Sequence, residues 1–136
     1  MFDAVGLPFA GTIDKVPNSH GALMLGELAR DRGALATLHP RLFDAYWGQG
    51  RDIGDESVLI EEGMAVGLPE EEIRAVLQDQ RYLPRIEGST RNAIEIGAGG
   101  VPAWAIDQQV LVPGAQPHEV FEQVLGRLGH TALDGE

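Results

Sequence analysis

The stretch that most restricts what this chain can fold into runs from Glu95 to Ile106, EIGAGGVPAWAI. A helical pattern runs into a glycine cluster, and a Val-Pro step then opens a short apolar strand. Glycine accepts the positive φ that closes a helix, and a proline at the first position of a strand removes no ladder donor. At Val101–Pro102 a cis peptide is also accessible, because the tertiary amide leaves a preference for trans of only about 0.5–1 kcal/mol. A cis bond there turns the main-chain groups of Gly100 and Val101 outward, free to pair with an extended peptide or a thiol ligand. Gly100, Val101 and Pro102 are therefore the candidate substrate-binding residues. The plain alternative is an ordinary helix–turn–strand junction with a trans proline.

The elements before and after this stretch follow from periodicity and breakers. Met1 to Gly6 reads as a helix end. Leu7 to Ile13 reads as a weak strand, interrupted by Pro8 and Gly11 and so placed at an edge. Asn18 or Ser19 caps a helix from about Ser19 to Arg32, with Ala22, Leu25, Leu28 and Ala29 on one face and Gly33 as its stop. A second helix covers Ala34 to Trp47, and Pro40 is expected to bend or split it. Asp55 caps a third helix, which carries Val58, Leu59 and Val66 and ends at Gly67. Pro69 and Glu70-Glu71-Glu72 open a fourth, with acids at the positive end of the helix dipole and Ile73, Val76 and Leu77 inward. A fifth runs from about Tyr82 to Ile96, with Leu83, Ile86, Ala93 and Ile94 inward. Ala103–Ile106 and Gln109–Val112 form a hairpin across Asp107-Gln108. That pair is a poor two-residue turn, so a longer loop is expected. The last helix spans Pro117 to Leu128, with Phe121, Val124, Leu125 and Leu128 as its buried stripe, and His130 to Glu136 is a tail.

Charge and composition remove several function classes. A formal charge of −11 argues against nucleic acid, which needs a basic footprint, and against anionic membranes. No apolar run reaches the length of a membrane span and no basic segment precedes an apolar one, so the expected location is cytoplasmic. The cysteine count is zero, which excludes thiolate metal sites and leaves no thiolate to attack a disulfide.

Taken in order, several stretches give a resemblance to a known family. The run from Gly99 to Ile106 and on to Gly114-Ala115-Gln116-Pro117, with Val120-Phe121 after it, resembles the cis-proline and closing segments of the DsbA-like thioredoxin-fold family. That family includes FrnE-type dithiol oxidoreductases and 2-hydroxychromene-2-carboxylate isomerases. Pro17-Asn18-Ser19-His20-Gly21-Ala22 is similar to the segment that opens the family's helical insert, although Leu23 stands where a histidine is common. Leu42-Phe43-Asp44-Ala45-Tyr46-Trp47 followed by Gly50-Arg51-Asp52-Ile53-Gly54-Asp55 is similar to a second block of the insert. The resemblance covers about Gly6 to Leu128.

It implies an α/β thioredoxin-like fold with a helical insertion, and with the N-terminal strand–helix redox segment missing. Residues 1–136 are then a single partial thioredoxin-like domain, with 14–97 mostly the helical insertion. Residues 98–129 are the cis-proline loop, hairpin and last helix. In the family the missing helix starts with Cys-x-x-Cys, or with a serine in the glutathione-dependent members, and the missing strand lies between Leu7–Ile13 and Ala103–Ile106. The implied function is that of a DsbA/FrnE-like thiol–disulfide oxidoreductase segment, inactive alone and without a cofactor. One alternative is a non-catalytic module that binds a peptide or partner through the Val101 backbone and an open sheet. The other is a glutathione-dependent isomerase of the hydroxychromene type. Expected partners are an extended peptide or thiol substrate at the loop, and a second copy or another strand-completing chain. A piece of a longer enzyme is preferred over a degenerate paralogue.

Other residues carry weaker chemistry. His20, His39, His118 and His130 are scattered; His118 and Glu122 have a metal-compatible spacing, but read as solvated surface. Glu70–Glu72 read as helix-start charge, and Glu61-Glu62 as an exposed face. Gly97 to Gly100 precede a strand, the wrong order for a phosphate cradle. Ser19, Ser57 and Ser89 lack a triad context. Trp47 and Trp104 read as core.

Overall fold

The computed structural model describes residues 6–11 and 16–131, and its backbone divides into two compact units, Met1–Glu87 and Gly88–Glu136. In the first unit α1 (His20–Asp31), α2 (Leu35–Phe43), α3 (Glu56–Ala65) and α4 (Glu70–Asp79) enclose the core. Leu25, Leu38, Leu59, Ile73 and Val76 are its largest fully buried side chains, and each falls on the apolar stripe that the 3.6-residue period predicts. Close approach of the helices depends on two small residues. A Cβ on Gly21 would lie 2.8 Å from Leu59 Cδ1, and one on Gly63 would lie 2.7 Å from Ile73 Cδ1.

The helix ends are built by local chemistry. Asn18 Oδ1 accepts from the His20 amide at 3.0 Å, and Asp55 Oδ1 accepts from the Ser57 amide at 2.8 Å. At the far end of α1 the Gly33 amide bonds to Arg30 O and the Ala34 amide to Ala29 O. This is the double closure that a residue with positive φ completes, and Gly33 has φ +70°. The same pair of bonds closes α3 at Gly67.

Two expectations for this unit are corrected. Leu7 to Gly11 carry no strand; Pro8 has no donor to give, Gly11 turns the chain at φ +86°, and the Ala10 amide bonds instead to Trp47 O at 2.8 Å. The remainder of that expected strand, Thr12 and Ile13, and the helix end expected at Met1 to Val5 lie outside the described residues. Nor does Pro40 split the second helix, which stays α-helical to Phe43. The departure comes later, where Asp44–Gly48 widen into a π-helical turn and the Gln49 amide reaches back five residues to Asp44 O at 2.9 Å.

The second unit takes over within α5 (Leu83–Glu95) and continues with β1 (Ala103–Ile106), β2 (Val110–Pro113) and α6 (His118–Arg127). The strands pair antiparallel with Ala103 opposite Pro113 and Ile106 opposite Val110, so the loop has three residues, 107–109. Asp107 and Gln108 both have positive φ, the pairing that a type I′ turn requires; the Gln109 amide bonds across them to Ile106 O at 3.0 Å, and Gln109 is the extra residue before β2. Trp104 packs edge-on against Phe121 of α6, ring centroids 5.4 Å apart.

Burial in this unit is shallower than periodicity suggested. On α5 Ala93 is half-buried, as are Leu83 and Ile86 at the end that belongs to the first unit, but Ile94 is 67% exposed; on α6 Phe121, Val124 and Leu128 are half-buried and Leu125 is exposed. Trp104 is 50% exposed and Trp47 36%, so neither is a core residue. Period tells which residues share a face and not whether anything covers that face.

Candidate functional site

The candidate loop is set by how α5 stops. The Gly97 amide bonds to Ile94 O and the Ala98 amide to Ala93 O, both at 2.9 Å, and Gly97 sits at φ +88°. That closure turns the chain out of the helix and delivers Gly99, Gly100 and Val101 to the surface before β1 begins. A Cβ added at Gly99 or Gly100 would meet nothing within 4 Å, so the space above the loop is open. Val101 is 97% exposed. The Val101–Pro102 peptide is cis, the form that the resemblance to the family implies and not the plain trans junction. Pro102 O accepts from the Gly114 amide at 2.8 Å, which ties the loop to the end of β2.

The main-chain N–H and C=O of Val101 have no hydrogen-bond partner among the described residues. The loop borders a groove of about 680 Å³, whose apolar walls include Ala93, Ile94, Ile96, Ala103 and Leu111. An extended chain laid along Val101 can therefore give and take one main-chain hydrogen bond while dropping an apolar side chain beside it. Nothing in the loop is a nucleophile or an acid–base group. Sequence reasoning placed Gly100, Val101 and Pro102 together, and the structure does bring them together at the surface.

A second concavity, of about 400 Å³, lies within the first unit between α1 and the α2–π turn. Leu23, Leu35, Leu42, Phe43, Trp47 and Ile53 line it, with Glu27, Arg30 and His39 at its rim. The π turn re-aims Tyr46 and Trp47, whose rings meet edge-on at 4.7 Å.

One charged residue was misread. Glu62 lies on no exposed face; it is 3% exposed, and its two oxygens accept from Arg41 Nε at 2.8 Å and Arg51 Nη1 at 2.7 Å. Its neighbour Glu61 is the exposed one and meets Arg51 Nη2 at 2.6 Å. The signal was present, since Leu59, Glu62, Gly63 and Val66 follow the i, i+3, i+4, i+7 rule and put Glu62 on the apolar stripe of α3. A second network joins α1 to the start of α5. Asp31 accepts from the Tyr82 phenol at 2.7 Å and from Arg85 Nη1 at 2.9 Å. Those two donors hold the Asp31 carboxyl below its ordinary value, and the Asp31 carboxylate in turn pushes the Tyr82 phenol up.

The histidines remain apart. His118 Nε2 lies 3.3 Å from Glu122 Oε1 with both side chains exposed, and His130 Nε2 lies 2.6 Å from Asp107 Oδ2. Among the described residues no three His, Asp or Glu side chains gather as a metal site would require. No described helix is long and apolar enough to cross a membrane.

Comparison with known proteins decides the family. The model of the DSBA-like thioredoxin domain matches residues 2–126. The chain belongs to the DsbA-like thioredoxin family. This DsbA-like chain is also similar to a solved structure, the crystal structure of a probable DsbA oxidoreductase from Streptomyces coelicolor. The two share 32% sequence identity with a TM-score of 0.85, over 99% of this chain and 59% of that one. No curated protein matches the chain. The DsbA-like chain thus spans a little over half the length of that relative, as helices and one antiparallel hairpin of its thioredoxin-type fold. It brings no cysteine to them.

Proposed function

We propose that this chain is a segment of a DsbA/FrnE-like thiol–disulfide oxidoreductase and contributes the loop that holds the substrate strand. The observation that carries the reading is the exposed Val101, with its unpartnered N–H and C=O, in a chain of this family. Disulfide exchange proceeds by a thiolate attacking one sulfur of a disulfide and expelling the other as thiolate. These 136 residues hold no thiol, so the sulfur chemistry belongs to cysteines on another polypeptide segment. The part taken by this chain is binding and orientation. The Val101 N–H donates to a carbonyl of an extended substrate, the Val101 C=O accepts from one of its amides, and the groove beside Ile94 and Ile96 takes a side chain.

The zero cysteine count favours a second reading in which the same loop serves a non-catalytic peptide-binding module. Both readings predict no turnover of insulin disulfides by the chain alone; measurable turnover would refute them together. Both also predict that carboxymethylated insulin B chain, an extended thiol-free peptide, shifts the amide resonances of Gly99 to Val101 and of Ile96 in a titration followed by NMR. Shifts confined to other regions would sink the loop as the binding site. Addition of a dithiol segment separates the two readings. Gain of insulin turnover on mixing with a Cys-x-x-Cys strand–helix polypeptide supports the oxidoreductase segment, and binding without such a gain supports the module.

A further inference from the structure

We draw no further inference here: the strongest candidate, the apolar concavity in the first unit between α1 and the π turn that follows α2, walled by Leu23, Phe43 and Trp47, carries nothing because nothing in the structure shows what covers it.

Discussion

Glu62 shows how one side chain can organise its surroundings from inside a helix bundle. Its carboxylate is buried, yet both oxygens accept from guanidiniums that still reach water; the Arg41 and Arg51 side chains are 44% and 25% exposed. Breaking a fully buried ion pair costs about 3–5 kcal/mol. Here the two arginines can rehydrate, so Glu62→Ala is expected to lower the unfolding free energy by about 2 kcal/mol in urea titrations. Glu61→Ala, with a side chain 66% exposed, should stay within about 0.5 kcal/mol of the parent. Equal losses for the two would show that Glu62 is not the hub. Gly63, one position on, is legible only in three dimensions. The sequence shows a glycine inside a helix, and the structure shows Ile73 and Leu25 occupying the space a methyl would need. Gly63→Ala should destabilise by about 1–3 kcal/mol through that overpacking, measured in the same titration.

At the scale of elements, what could be read locally was read well and what depended on tertiary partners was not. The glycine stops of α1, α3 and α5 and the Asp55 cap are bonds made within a few residues, and they appear where the sequence places them. The weak strand, not formed over its described residues Leu7 to Gly11, and the buried stripe of α6 required a neighbour that sequence alone could not supply. The tie between α1 and α5 belongs to the same class, since Asp31 and Tyr82 are 51 positions apart. Because Tyr82 and Arg85 depress the Asp31 carboxyl, the stabilisation it gives is complete above its ordinary value of 3.8. It is lost as the pH falls through the lower folded value. The melting temperature of the parent is therefore expected to exceed that of Asp31→Asn at pH 7, with the gap closing below pH 3.8. A gap that persists at the acid limit would assign the effect to something other than the carboxylate. The raised Tyr82 phenol works in the opposite sense, contributing below its ordinary value of 10.0 and losing that contribution as the pH rises.

For the whole chain, the two units differ in what holds each together, and hydrogen exchange should read this directly. The first unit contains the cluster of Leu25, Leu28, Leu38, Leu59, Ile73 and Val76, so its slowest amides are expected in α1 and α4, where opening requires the core to open. Leu38→Ala, at a fully buried position, should cost about 3 kcal/mol and raise those exchange rates roughly a hundredfold. The second unit has one buried apolar residue among those described, Val112, and neither α5 nor α6 buries a side chain completely. Its protection must come from the ladder itself. The Gly114 amide bonds to Pro102 O, which makes Trp104–Val112 and Ile106–Val110 the hydrogen-bonded pairs, so β1 amides should alternate, Trp104 and Ile106 slow and Ala103 and Ala105 fast. The alternation follows from the register alone and is expected to persist in Leu38→Ala. Uniform protection along β1 would mean that a strand already occupies that edge, and the exposure of the hairpin would have to be abandoned.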